Sequence, residues 1–222
     1  MAEEKILEAV TDRTRAVFLT YVQGFDALSG RLLRELERRG IPLIEDVCES
    51  HGAVHDGKKL GSFGLASNFS FYFAHHMSTI EGGMVCTDSD VFYEAARMYR
   101  SHGMAREISD SERKAEIARE NPQVSPDFTF LVPSCNFRGT EIGGVLGRSQ
   151  LKRLDANNLL RTRNFKRFLQ EIDPERYRTD FRVEGSSNYA FPLVIREKDF
   201  AFRDRLETRM RECRIEFRRG NA

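Results

Sequence analysis

The chain has 222 residues, of which 40% are hydrophobic and 31% charged, a composition that suits a globular protein with a sizeable core. Lys and Arg total 35 against 34 Asp and Glu, so the net charge of +1 excludes a strongly basic nucleic-acid or membrane-surface protein. No apolar run is long enough to span a bilayer, and the four widely separated cysteines argue against a disulfide framework or zinc ribbon, which together predict a cytoplasmic protein.

The first ninety residues alternate between strand-like and helix-like patterns. A helix is predicted after Asp26, an expected N-cap, because leucines then recur at helical spacing until Gly40. Asp56-Gly57 indicates a hairpin turn. The predicted strands are 15–22, 41–44, 69–73 and 84–87. This alternation favours an α/β fold with a mostly parallel sheet.

The rest of the chain is more helical. Helices are predicted over 90–100, 109–119, 140–168 and 200–213, with strands over 188–195 and from 215. Residues 120–133 form a proline-containing loop. We place a domain boundary inside the long helix, so that a large domain covers 1–155 and a small domain covers 156–222.

The most informative stretch is residues 70–83, SFYFAHHMSTIEGG. It resembles the cofactor-lysine segment of the DegT-type sugar aminotransferases, which are fold-type-I enzymes dependent on pyridoxal phosphate (PLP). In that family a Ser precedes the lysine that binds PLP covalently, and Glu-Gly-Gly follows it. Here His75 stands where the family has this lysine. The resemblance implies the three-layer large domain of fold type I, followed by a partial α+β small domain.

Three further segments carry the same resemblance in the family's order. They are residues 44–53 (IEDVCESHGA), the Gly61–Gly64 turn (GSFG), and residues 136–151, which begin NFR. Members of this family extend considerably further than this chain at both ends, so we expect a fragment that lacks part of the cofactor pocket.

The resemblance assigns roles to six further residues. Asp46 would pair with the pyridine nitrogen of the cofactor, Ser70 would bind its phosphate, and Glu49 would lie near its ring. His102 and Arg106 would face the substrate. Asn136 would bind the cofactor phosphate of a neighbouring subunit, which implies a homodimer. Taken without the resemblance, each residue also has a plain structural interpretation, such as Asp46 capping a loop or cationic side chains ending a helix.

His75 decides the implied activity. An imidazole does not form the stable covalent link that lysine forms with PLP, but it transfers protons near neutral pH. The resemblance is therefore greatest to the sugar 3-dehydratase branch of the family, which makes 3-deoxy sugars such as colitose. That branch implies bound PLP or pyridoxamine phosphate (PMP), glutamate as amino donor, and GDP-4-keto-6-deoxymannose as substrate, with His75 as acid and base.

Several alternatives stay open at this level. The chain could be an inactive module that pairs with a longer relative, or an ordinary sugar aminotransferase, which His75 disfavours. A related iron-sulfur dehydratase also has His in the lysine position, but Cys86 and Cys135 lack the closely grouped cysteines that a cluster needs. A metal site built on adjacent His75 and His76 is not expected, because neighbouring residues rarely converge on one ion, and His76 is interpreted as structural.

Overall fold

The computed structural model describes residues 3–220, which form a mixed α/β fold. The helices are α1 (Glu3–Ala9), α2 (Gly30–Arg38), α3 (Asp90–Arg100), α4 (Ser111–Glu120), α5 (Glu141–Glu171) and α6 (Phe200–Glu212). The strands are β1 (Val17–Thr20), β2 (Leu43–Asp46), β3 (Val54–His55), β4 (Lys58–Lys59), β5 (Ala66–Ser70) and β6 (Gly83–Thr87). Within residues 3–220, no helix is both long enough and apolar enough to cross a lipid bilayer.

The main sheet has four strands in the order β1-β2-β5-β6. The first three run parallel, with Ile44 opposite Phe18 on one side and opposite Ala66 on the other. β6 runs antiparallel to β5, and the pairing ends where Ser70 meets Gly83. The prediction of a mostly parallel sheet is therefore confirmed. The carboxyl ends of β1, β2 and β5 lie at one edge, the place where open α/β sheets bind ligands.

Helix α2 covers the sheet through its leucines. Leu28, Leu32 and Leu36 are buried in one cluster with Leu19 and Leu43 of the strands. This periodic spacing is the pattern that predicted the helix. The expected N-cap was wrong, because Ser29 caps α2 by accepting a hydrogen bond from the backbone N–H of Leu32 at 3.0 Å.

Asp26 instead ties distant parts of the chain together. Its carboxylate lies 2.8 Å from Nδ1 of His55 and 3.3 Å from the guanidinium of Arg182. The Asp26 side chain is almost fully buried, so the contact with His55 and the ion pair with Arg182 offset the cost of removing it from water.

The segment 182–189 lies against the turn that follows β1. The backbone N–H of Ser187 donates to the carbonyl of Gly24 at 2.9 Å, and that of Tyr189 donates to the carbonyl of Gln23 at 2.9 Å. A Cβ on Gly24 would lie 2.8 Å from the backbone nitrogen of Asn188, and Gly24 has φ +82°. Glycine is therefore needed for this close approach.

A buried carboxylate organises the turn before β5. Glu45 is fully buried and accepts hydrogen bonds from the Tyr21 hydroxyl and from the backbone N–H groups of Gly61, Phe63 and Gly64, at 2.7, 2.7, 2.7 and 2.8 Å. Four donors on one carboxylate satisfy the groups that the tight turn would otherwise leave unpaired.

Element boundaries differ from the sequence predictions in a few places. β5 ends at Ser70 rather than at residue 73, because its partner β6 begins at Gly83 and the chain then turns. The hairpin at Asp56-Gly57 is confirmed, and both residues have positive φ, 46° and 80°. The long helix is confirmed as α5, which continues through residue 155 without interruption.

Two predicted strands are wrong. Residues 188–195 contain no regular strand, and a single bridge joins Tyr177 to Ile195. Pro192 has no N–H to give to a ladder, which weakens any strand through it. Residues 215–217 follow α6 without strand pairing in the described chain. An isolated extended segment gains nothing until a neighbouring strand supplies its hydrogen bonds.

Candidate active site

Asp46 is the last residue of β2 and lies at the carboxyl edge of the sheet. Its Oδ2 accepts from the Thr20 hydroxyl at 3.2 Å, while Oδ1 accepts from the Cys48 N–H at 3.1 Å and the Asn68 amide at 3.0 Å. Three donors thus fix the orientation of the carboxylate. Because a carboxylate has about four acceptor positions, a further donor such as a protonated ring nitrogen can still be accepted.

The end of β5 connects the Asp46 loop with the histidine that follows. The Asn68 amide donates to Asp46 at 3.0 Å and to the Cys48 sulfur at 3.2 Å, and the Ser70 carbonyl oxygen is 3.1 Å from Nδ1 of His75. Burial is the main cause that raises the pKa of the Cys48 thiol to about 12, with Asp46 adding to it, so this sulfur stays protonated. Asp46 and His75 are therefore both joined to the end of β5, through Asn68 and Ser70.

The contact with Ser70 determines which nitrogen of His75 is free. A carbonyl oxygen only accepts, so Nδ1 must carry the hydrogen and Nε2 keeps its lone pair in the neutral ring. His75 is half-buried, and nearly perpendicular rings surround it: His51 at 6.2 Å, Tyr72 at 5.5 Å and Tyr189 at 5.6 Å between centroids. This arrangement suits a residue that takes up and returns a proton at Nε2.

Two buried histidines lie behind His75. The His51 ring contacts the His76 ring at 5.8 Å between centroids, and Nε2 of His76 donates to the Ser187 carbonyl at 3.1 Å. Burial lowers the pKa of both His51 and His76 to about 4. Both rings are therefore neutral at neutral pH, and His76 serves as an anchor for the 182–189 segment.

Glu49 lies one turn beyond Asp46. Its Oε2 accepts from the backbone N–H of Gln23 at 2.7 Å, which fixes it beside the 22–24 turn. Its negative charge reaches Tyr189, where it contributes to a raised pKa of the phenol. Glu49 and Tyr189 therefore face the same part of the site as His75.

His102, Arg106 and Asn136 form a separate group. The His102 N–H donates to the Cys135 carbonyl at 2.8 Å, and Ser101 pairs with Asn136 in an isolated bridge. His102 and residues 130–134 line an open cavity of about 430 Å³. Arg106 lies near Glu107 and over the ring of Phe128. Among residues 3–220, no hydrogen bond or ion pair joins this group to Asp46, Ser70 or His75.

Three residues whose rings surround His75 have no site role in the sequence analysis: His51, Tyr72 and Tyr189. Tyr189 lies in a segment that the sequence analysis predicts to be a strand. No local pattern identifies Tyr189, because it reaches His75 from 114 residues further along the chain. No group of three or more His, Cys, Asp or Glu side chains in the described chain is arranged to hold a metal ion.

Comparison with known proteins identifies the family of the chain. The model of the DegT/DnrJ/EryC1/StrS aminotransferase family matches residues 1–219. The chain belongs to this family. Two curated GDP-4-keto-6-deoxy-D-mannose 3-dehydratases, from Escherichia coli O55:H7 and Yersinia pseudotuberculosis, are each 31% identical over 216 and 220 residues. Each alignment covers 97% of this chain and 55% of the relative, so the chain spans about half the length of these family members.

A solved structure of the same family gives the corresponding fold. It is GDP-4-keto-6-deoxymannose-3-dehydratase with a trapped PLP-glutamate geminal diamine, which superimposes with a TM-score of 0.82 at 27% identity. The superposition covers 97% of this chain and 56% of that one. The predicted fold is thereby confirmed as that of PLP-dependent aminotransferase-like proteins.

Proposed function

We propose that this chain carries the proton-transfer part of a PLP- or PMP-dependent sugar 3-dehydratase, which removes the C3 hydroxyl of GDP-4-keto-6-deoxymannose. The observation that supports this most is the geometry of His75, whose Nδ1 is held by Ser70 at the end of β5, while Nε2 has no hydrogen-bond partner among residues 3–220. The two dehydratase relatives are named for this substrate, and the related solved structure holds PLP and glutamate.

The residues at the sheet edge suit the cofactor. The carboxylate of Asp46 would accept a hydrogen bond from the protonated pyridine nitrogen, and the hydroxyl of Ser70 would bind phosphate. Asn136 would reach the phosphate of a second subunit, and the active unit would then be a homodimer. When bound, the cofactor supplies an electron sink and, as PMP, the amino group that joins the sugar ketone.

His75 would supply the acid and base chemistry. Its neutral Nε2 would accept a proton from the methylene carbon of bound PMP, and the resulting imidazolium would donate that proton to the departing C3 hydroxyl, which leaves as water. The ring is then neutral again and ready for another turnover. His102 and Arg106 are proposed to bind the sugar, and glutamate to restore the amino group, which ends as ammonia.

The lysines argue against a simple aminotransferase. The lysines that precede His75 most closely in the sequence are Lys58 and Lys59 of the β3–β4 hairpin. Lys58 donates to the Ser62 carbonyl at 2.5 Å, and Lys59 donates to the Gly52 carbonyl at 3.0 Å. Both side chains are exposed and engaged there. No lysine of the described strand ends therefore takes the place of His75.

The test measures ammonia released when the chain is mixed with PLP, glutamate and GDP-4-keto-6-deoxymannose. We expect steady release that His75→Asn and His75→Lys abolish, and borohydride should trap PLP on lysine only in His75→Lys. Peptide mapping then identifies the lysine that carries the trapped PLP. Residues 66–87 of the unmodified chain contain no lysine, so no adduct is expected there. Trapping on Lys58 or Lys59 would refute the assignment.

A second candidate is an inactive module that pairs with a longer relative. Large apolar side chains lie exposed on and before α5, namely Phe137, Ile142 and Val145, and such a surface favours a protein partner. This alternative would be supported if the chain forms a measurable complex with a full-length relative, yet no ammonia is released either by the chain alone or by its mixture with a variant of that relative carrying Asn at the position that matches His75.

A further inference from the structure

Tyr189 is brought to the candidate site from the far part of the chain. Its backbone N–H donates to the Gln23 carbonyl at 2.9 Å, and its carbonyl accepts from the Arg161 guanidinium at 3.0 Å. The preceding residue, Asn188, has φ 51° and is buried. Both sides of the Tyr189 peptide are therefore held by bonds to other elements, which fixes the direction of its side chain.

The Tyr189 ring contacts two histidines. It lies 5.6 Å from the His75 ring at an interplanar angle of 73°, and 5.8 Å from the His76 ring at 45°. Edge-to-face contacts of this kind restrict how a neighbouring ring turns. Because His75 is half-buried, removing the Tyr189 ring would leave one side of the imidazole unsupported.

The Tyr189 hydroxyl is suited to donate a hydrogen bond. Burial raises the pKa of the phenol above its ordinary value of 10, and the charges of Glu49 and Tyr72 add to this, while Arg218 and Arg161 oppose it. The hydroxyl therefore keeps its hydrogen at neutral pH. Among residues 3–220 it has no hydrogen-bond partner within 3.5 Å, so the donor is available.

We propose that Tyr189 is a further residue of the candidate site, whose ring positions the His75 imidazole and whose hydroxyl donates a hydrogen bond to an oxygen of the bound nucleotide sugar. The hydrogen bond from the hydroxyl to the nucleotide sugar rests on the proposed function, whereas the positioning of His75 by the ring concerns the chain alone.

Ring positioning is tested by NMR of the histidine side chains, since the chain has only five histidines. The His75 signal is identified by its loss in His75→Asn. We expect it to shift in Tyr189→Leu, which removes the neighbouring ring current, and to stay unchanged in Tyr189→Phe. The matched control is Phe191→Leu, because Phe191 packs on Phe165 and Phe168 instead. An unchanged His75 signal in Tyr189→Leu would overturn the positioning role.

The hydroxyl is tested by calorimetric binding of GDP-mannose, a stable nucleotide sugar, to the unmodified chain and to Tyr189→Phe. Loss of one neutral hydrogen bond should weaken binding about threefold to tenfold. Equal affinities would overturn the donor role while leaving the proposed function intact. If the unmodified chain does not bind GDP-mannose, the donor role and the proposed ligand class both fail, and the NMR result still decides the positioning role.

Discussion

Replacing Glu45 by Gln should cost a large part of the stability of the fold. Each carboxylate oxygen accepts two hydrogen bonds: Oε1 from the Tyr21 hydroxyl and Gly61, and Oε2 from Phe63 and Gly64. A glutamine amide places an NH₂ group where one of these oxygens stood. At least two donors then face another donor, unless the hydroxyl of Tyr21 rotates to accept.

The size of the effect follows from these bonds. Hydrogen bonds to charged groups contribute about 1.5–3 kcal/mol each, so losing two costs about 3–6 kcal/mol, with the lower end if Tyr21 rotates. Domains are stable by only about 5–15 kcal/mol, so Glu45→Gln should lose a large part of this stability. Tyr21→Phe removes one of the four bonds and should cost about half as much.

Urea unfolding followed by circular dichroism measures both variants. The matched control is Glu35→Gln, since Glu35 pairs with Arg38 and Arg39 on the exposed surface of α2, where ion pairs contribute little. If Glu45→Gln unfolds at the same urea concentration as Glu35→Gln, the buried carboxylate does not hold the turn and the reasoning is wrong.

Three further substitutions should change the stability of the fold or its dependence on pH. Burial lowers the pKa of His51 to about 4 from an ordinary 6.5, so the unfolded chain binds this proton first and the fold loses stability as the pH falls from 6.5 to 4. In His51→Phe this loss of stability should be smaller by up to about 3 kcal/mol. An unchanged dependence of stability on pH would contradict this. Gly64→Ala should lower the melting temperature, because the new Cβ would lie 2.3 Å from the Leu43 carbonyl oxygen, whereas Gly40→Ala, with open space around it but φ +63°, reports the cost of backbone strain alone. Arg219 lowers the pKa of Glu207 to about 2, so Glu207→Gln should reduce the stability lost between pH 4.5 and 2, as acid titration would show.

Local patterns predicted most of the fold. The leucines of α2, the Asp56-Gly57 turn and the long helix α5 each carry their information within a few neighbouring residues, and each was found where expected. The strand predicted over 188–195 failed for the opposite reason. Besides the effect of Pro192, the backbone N–H and carbonyl of Tyr189 are bonded to Gln23 and Arg161, which belong to elements that no local window contains.

The candidate site likewise contains residues that local patterns reveal and residues that depend on contacts between distant parts of the chain. Asp46 and His75 follow strands that the sequence reveals, so their positions at the sheet edge could be predicted. Tyr189 and the buried neutral state of His51 depend on packing between residues far apart, and the sequence offers no signal for them. The roles toward ligands of all seven predicted site residues stay predictions: Asp46, Glu49, Ser70, His75, His102, Arg106 and Asn136.

The attachment of residues 182–189 to the turn after β1 has a consequence for biosynthesis. The bonds from Asp26 to Ser186 and from His76 to Ser187 join residues 160 and 111 positions apart. Synthesis must therefore pass Tyr189 before the imidazole of His75 can receive its last aromatic neighbour. Since distant pairings slow folding, the nascent protein should pass through a period in which its sheet exists but the His75 ring is unsupported.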